Sequence, residues 1–247
     1  MSNLSNSESN SQSLKVSGWP EQDLEFLSRC PSCNSPSIKI LYSGLVDRAY
    51  KIAAGTWTEY QCVQCGSAFL NPRPTRDSLL NAYKGYYTHN DKSPVTGSSC
   101  EDLQSGKSLF SPNALRNGYL NKKYGSKLTP SSPLGFLVAA IPPLRERADR
   151  FFMHLPVAKA GGRFLEIGCG DGAFLDQMAA IGWRVAAVEF DPDAAEVVRR
   201  KGHTVIVGQL NAGTFPKESF EAISMHHVIE HLHDPNEFMR VCLVTME

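Results

Sequence analysis

No apolar run in this 247-residue chain approaches the ~20 residues a membrane-spanning helix needs. The longest, Leu134 to Leu144, is short and is interrupted by Pro142-Pro143. It suits a lid, a substrate wall or a surface-touching loop, with packing against the main domain the expected role. No sign of charge dominates either. Lysine plus arginine equal aspartate plus glutamate at 25 each, so no strong field favours nucleic acid or an anionic lipid surface. A basic start followed by an apolar core is also missing. Met1 to Ser13 is rich in Ser and Asn and reads as a disordered tail, not a signal peptide. No internal repeat is visible. These absences predict a cytoplasmic protein with no nucleic-acid partner and no stable membrane insertion.

What the chain does have is concentrated in two places, of which the more informative is Arg163-Phe-Leu-Glu-Ile-Gly-Cys-Gly-Asp-Gly172. A short apolar strand (Phe164, Leu165, Ile167) carries the acid Glu166 and runs into three alternating glycines, Gly168, Gly170 and Gly172. An apolar helical stripe follows through Ala173, Phe174, Leu175, Met178, Ala179 and Ile181. Glycines at such a turn let the backbone bend sharply and approach a ligand without a Cβ in the way. The open N–H groups of the next helix then favour a polar or anionic group. A second strand, Arg184 to Val188, ends in Glu189-Phe190-Asp191. An acid directly after four apolar strand residues is expected to meet a polar ligand, such as a ribose diol. The pattern predicts a nucleotide-type cofactor site, and the glycines alone also fit the dinucleotide fingerprint. Cys169, inside the turn, reads as a small filler.

The second feature is a cysteine quartet. Cys30-Pro-Ser-Cys33 and Cys62-Val-Gln-Cys65 are two CxxC pairs, followed by Asn34 and Gly66, residues that tolerate a left-handed backbone. Four thiolates so paired suit Zn²⁺ in a closed tetrahedral site. The stretch between the pairs leaves room for a hairpin excursion, Ile38 to Tyr60. Neither pair has the βαβ surroundings of a redox motif, and nothing indicates the oxidising compartment that disulfides need. A structural zinc supplies folding energy to a module with little core of its own.

A third block, Phe220-Glu-Ala-Ile-Ser-Met-His-His-Val-Ile-Glu-His-Leu-His-Asp-Pro235, falls at a later strand end. With the glycine turn and Glu189, it resembles class I S-adenosylmethionine-dependent methyltransferases, in particular the group with an "hhviEHl.dP" block. Phe69-Leu-Asn-Pro-Arg-Pro-Thr75 is similar to the "flnpRP" segment after the second cysteine pair in that group. The resemblance covers about residues 30–87 and 117–240. It implies an α/β, Rossmann-like sheet, S-adenosylmethionine as cofactor, and a small-molecule or glycan- or lipid-linked methyl acceptor. It also assigns cofactor contacts. Glu166, Gly168, Gly170 and Gly172 would hold the methionine part and Glu189 the ribose. Phe190 would flank the adenine, with Gln209 and Leu210 after the third strand. Many relatives place an aspartate where Gln209 stands. His226, His227, Glu230 and His231 would face the methyl end. They read as a proton acceptor, as a metal triplet similar to "ExxEH" with His227 in place of the first acid, or as residues that brace the helix.

The expected organisation is a tail (1–23), a zinc-binding ribbon (24–76), a helical and loop linker with a substrate lid (77–160) and a cofactor domain (161–247). Within the linker, Asp77 to Tyr87 and Arg145 to His154 read as helical. The resemblance implies seven strands, but only four are countable, near 163–167, 184–189, 204–207 and 220–225, with a helix from Pro235 to Val244. The domain is therefore expected to be incomplete. Strand four would be an unpaired apolar edge, and the 247-residue form would bind cofactor weakly. A fragment, a shifted frame and a natural truncation that pairs with another chain all fit. An inactive fragment or a zinc-ribbon scaffold without catalysis is the alternative function.

Overall fold

The computed structural model describes residues 19–48, 53–79, 109–158 and 160–246. Most of the expected tail and most of the helix expected over 77–87 lie outside these residues. The chain divides into two compact units, Met1–Tyr86 and Tyr87–Glu247.

The first unit is a small β structure. Strands β1 (Leu24–Glu25), β2 (Ile38–Leu45), β3 (Trp57–Cys62), β4 (Ala68–Leu70) and β5 (Arg73–Pro74) form two antiparallel groups, β2-β3-β4 and β1-β5. The excursion between the cysteine pairs is thus the β2–β3 hairpin. Its apolar core is slight, with Trp19 and Trp57 in edge contact at 5.5 Å and Leu24 and Ala53 beside them. Polar bonds do much of the closing. The Asn71 side-chain amide donates to Leu27 O and accepts from Leu27 N, both at 2.9 Å, while Arg73 pairs with Glu25. The Asn-Pro-Arg-Pro exit therefore latches the unit onto its own N-terminal strand.

In the second unit a helical layer comes first. Helix α1 (Pro112–Tyr124) starts at Ser111, whose hydroxyl accepts from Ala114 N, and stops at left-handed Gly125. Helices α2 (Phe136–Ala140) and α3 (Pro142–Asp149) follow, then a 3₁₀ turn over Arg150–Phe152. Two glycines let this layer close up: a Cβ on Gly118 would lie 1.9 Å from Ser132 O, and one on Gly135 2.2 Å from Tyr119 N. The Asp149 carboxylate is the polar hub, accepting from Tyr119, Tyr124 and Lys123 at 2.8–3.1 Å.

The sheet has four parallel strands: β6 (Arg163–Ile167), β7 (Arg184–Glu189), β8 (Thr204–Val207) and β9 (Ala222–Met225). They lie in the order β8-β7-β6-β9. Four strands were expected, at nearly these positions. The last is shorter than 220–225 because Phe220 instead bridges to Met246 beyond the final helix. Alternation along β6 splits the core. Phe164 packs with α1, Leu175 and Met178 of α4 (Ala173–Ala180), and Val198 of α5 (Pro192–Arg200). Leu165 and Ile167 pack on the other face with Phe238 and Cys242 of α6 (Pro235–Thr245). Each fully buried Leu or Phe contributes about 1.5–3 kcal/mol to this sandwich. Asp-Pro pairs begin both α5 and α6: Asp191 accepts from Asp193 N, and Asp234 from Glu237 N.

The apolar run Leu134–Leu144 departs from expectation. Only Gly135 and Val138 of it are buried, and Phe136, Leu137, Ile141 and Leu144 are exposed. Helix α2 is too short to present a continuous face, and Pro142-Pro143 restart the chain in a new direction. For the same reason Leu144 does not face the core with Ala148 and Phe152.

Candidate cofactor site

Strand order fixes where a ligand can sit. Chain progression runs from β6 outward through β7 to β8, then returns to the other side of β6 for β9. In open α/β sheets ligands bind beyond the carboxyl ends of the strands at such a reversal. The turn after β6 and the segment after β9 flank that crevice.

The glycine turn is held from the end of β7. Gly168 N donates to Val188 O at 2.8 Å, and Gly170 N donates to Glu189 Oε2 at 2.8 Å. Glu189 Oε1 accepts from Asp191 N at 3.0 Å, and Gly208 N donates to Glu189 O at 2.8 Å. Buried Glu189 therefore ties the turns after β6, β7 and β8 together. All three glycines have positive φ, at 71°, 54° and 75°. Their surroundings differ, however. A Cβ on Gly168 would lie 2.7 Å from Val228, and one on Gly172 3.0 Å from Val198, whereas one on Gly170 would meet nothing within 4 Å. Gly168 and Gly172 satisfy packing, and Gly170 presents bare backbone to open space. Gly172 has no side chain to cap α4, but Asp171 Oδ1 accepts from Ala173 N at 3.0 Å.

Glu166 is the unusual group. It is buried, Oε2 has no partner, and the carboxyl is pushed up to about 8 by burial and by the charges of Glu189 and Asp171. Its register partner on β9 is Ser224, also buried, whose Oγ is likewise unpartnered. Leaving a buried polar atom unpaired costs about 1–3 kcal/mol, so two on one face of adjacent strands mark a polar floor. That floor fits a group carrying an ammonium or other donor. Burial also raises the pKa of the Cys169 thiol, which keeps it inert.

The remaining expected contacts separate. Phe190 is partly exposed beside Glu189, and Gln209 accepts from Asn211 Nδ2 at its carbonyl, 3.0 Å. The Leu210 side chain is buried with Leu165 and Ile167, so only its backbone is free for a ligand. After β9, His226 stacks near Phe174 of α4 at 6.0 Å, and its Nε2 lies 2.6 Å from Met153 Sδ. Burial, and next the charge of His227, lower the His226 pKa; burial also lowers that of His231. Both stay neutral near pH 7 and can accept a proton. His227, at φ 51°, bonds Glu230 at 3.1 Å. Among the described residues His227, Glu230 and His231 do not converge into a metal-ligand set. Ser224 lies within the Phe220–Pro235 block but was passed over in favour of its histidines, and Met153 lies in no motif.

The cysteines do converge. Cys30, Cys33, Cys62 and Cys65 hold their Sγ atoms within 4.8 Å of one another. Two separations are 3.6 Å (Cys30–Cys65) and 3.5 Å (Cys33–Cys62), too long for a disulfide. They lie close to the edge of a tetrahedron of thiolates around zinc, about 3.8 Å from the usual Zn–S bond. Asn34 (φ 59°) and Gly66 (φ 78°) are left-handed, and each turns its amide back to the first cysteine's carbonyl, at 2.9 and 3.0 Å. The Ser67 hydroxyl and amide draw Cys65 down to about 6. Cys33 is pulled down by the Ser35 amide, but burial and the other three thiols outweigh it and push it up to about 12. The donor set fits a divalent thiophilic cation.

Comparison with known proteins agrees with this geometry. Residues 142–242 match the family model described as a methyltransferase domain. A ubiquinone biosynthesis O-methyltransferase of Xanthomonas oryzae is 32% identical over 91 residues, 34% of this chain and 38% of that protein. A probable S-adenosylmethionine-dependent methyltransferase of Mycobacterium tuberculosis is 38% identical over 80 residues, 32% of this chain and 29% of the relative. Among solved structures, a SAM-dependent methyltransferase from Archaeoglobus fulgidus gives a TM-score of 0.34 at 22% identity, over 52% of each chain. Residues 142–242 are thus similar to a methyltransferase domain, and the parallel four-stranded sheet within them has a Rossmann-like α/β arrangement. The chain spans less than two-fifths of the length of these curated relatives. Among the described residues no helix is long and apolar enough to cross a membrane.

Protonated Glu166 generates a test that needs no ligand. The folded protein keeps a proton up to about pH 8 that the unfolded chain releases near pH 4.5. Within that window the native state binds more protons, so stability falls as pH rises. Glu166→Gln should unfold at the same temperature as the parent at pH 4 and at a higher one at pH 8.5. Parallel melting curves over that range would contradict the burial described for this carboxyl.

Proposed function

We propose that the protein is an S-adenosylmethionine-dependent methyltransferase acting on a small-molecule or a glycan- or lipid-linked acceptor. Two observations carry the reading, both at the reversal of the sheet order: the buried, unpartnered side chains of Glu166 and Ser224 on adjacent strands, and the open space at Gly170. In this reading Glu166, Gly168, Gly170 and Gly172 hold the methionine end. The free lone pairs of Glu189 take the ribose hydroxyls, while Phe190, Gln209 and the Leu210 backbone border the adenine. The bound cofactor supplies an electrophilic methyl on a sulfonium sulfur. The protein's task is then to align an acceptor and to receive its proton. His226 and His231, held neutral, stand where the proton leaves, with His227 and Glu230 beside them. The named ubiquinone relatives lend support to an oxygen acceptor, for which a neutral imidazole is a suitable base.

Calorimetry with S-adenosylmethionine on a chain completed with the further strands that the resemblance implies tests this directly. Glu189→Ala should cost on the order of 1.5–3 kcal/mol, as for a hydrogen bond to a charged group. Gly170→Val, which fills the open face at positive φ, should abolish binding. Unchanged affinity in both variants, each shown to fold by circular dichroism, would place the cofactor elsewhere.

For the first unit, we infer that Cys30, Cys33, Cys62 and Cys65 bind one structural Zn²⁺. The support is the convergence of the four sulfurs, all within 4.8 Å of one another, in a unit whose apolar core is little more than Trp19 and Trp57. Elemental analysis should find about one zinc per chain, lost in Cys62→Ser together with the fold of this unit. A metal-free protein with intact near-ultraviolet tryptophan signals would refute it.

A further inference from the structure

Neutrality of the whole chain conceals a local excess. Between Leu109 and Ala158 stand seven lysines and arginines against only Glu146 and Asp149. Both acids are already engaged, Asp149 by Lys123 at 2.8 Å and Glu146 by His154 at 3.3 Å. Arg116, Lys122, Lys127, Arg145, Arg147 and Arg150 therefore face no carboxylate among the described residues. The same layer leaves large apolar side chains in solvent. Phe136 is 53% exposed, Leu137 44%, and Ile141 and Leu144 46% each, and every residue from Ala139 to Arg147 is exposed. Isolated exposed apolar residues are ordinary; four within nine positions, bordered by unpaired arginines, are not.

We propose that the α2–α3 face docks on an anionic phospholipid surface. Phe136, Leu137, Ile141 and Leu144 enter the boundary between headgroups and acyl chains, while Arg145, Arg147 and Arg150 meet lipid phosphates. Short basic amphipathic elements bind in the plane of a membrane in this way, by apolar burial plus attraction to anionic headgroups. The surroundings of Arg116 support the choice. Its guanidinium lies 5.1 Å over the Phe151 ring, and its pKa is lowered by burial and by the charge of Arg147. Two arginines near each other without an acid are a pair that an added phosphate relieves. A nucleic acid would match the charge but give the four apolar side chains no place. The inference rests on the exposed side chains of this layer and not on the cofactor reading.

Co-sedimentation of the full chain with vesicles tests it. Vesicles of phosphatidylcholine with phosphatidylglycerol should retain the protein, and phosphatidylcholine alone should not, with retention falling as salt rises. Replacing Arg145 and Arg147 by alanine should lower partitioning roughly 25-fold, about fivefold per basic residue. Phe136→Glu with Leu137→Glu should abolish it without moving the unfolding temperature, because both side chains are already in solvent. Equal binding to neutral vesicles, or binding unchanged in both variants, would overturn the proposal. So would self-association in place of vesicle binding, lost in Phe136→Glu, which would assign the face to a second copy of the chain.

Discussion

Glu189 is the constraint on which the second unit's working end depends. Three parallel strands end in turns that water would otherwise leave independent. One buried carboxylate bonds the glycine turn after β6 and its own turn after β7, while its carbonyl holds the turn after β8. A charged acceptor strengthens each bond beyond what a neutral one would give. The cradle is thus formed before any ligand arrives, and the entropy of ordering three loops is met during folding. Burial, and next this negative charge, keep Glu166 protonated. Clamp and floor are electrostatically one device.

Much of this was legible because the sequence states backbone requirements. Glycines at 168, 170 and 172 announce a turn through positive φ, and Asp191-Pro192 and Asp234-Pro235 announce helix starts. The CxxC pairs announce their own knuckles through Asn34 and Gly66. What escaped reading depends on long-range placement. Ser224 becomes an orphaned polar atom only when β9 is set beside β6 in register. Gly118 and Gly135 resemble loop glycines until α1 is seen to press its backbone against Ser132. Leu144 follows a helical stripe yet remains in solvent, since a stripe predicts burial only where a partner surface exists. Leu210, a candidate adenine neighbour by its loop, spends its side chain on the core.

The two units solve stability differently. The second buries a large apolar sandwich on both faces of its sheet, and the buried carboxylate of its helical layer, Asp149, is satisfied by Lys123 and two tyrosines. The first has two tryptophans, an asparagine latch and four convergent thiols. Domains with so little core commonly rely on a metal or a disulfide, and the sulfur separations here favour the metal.

If the turn from Gly168 to Gly172 cradles the cofactor, as proposed, its amide resonances report it most directly. Titrating S-adenosylhomocysteine into ¹⁵N-labelled protein should shift the amides of Gly168, Gly170 and Ala173 together with that of Asp191, whose partner is Glu189. A saturating titration that moves amides elsewhere and leaves these four in place would contradict the account.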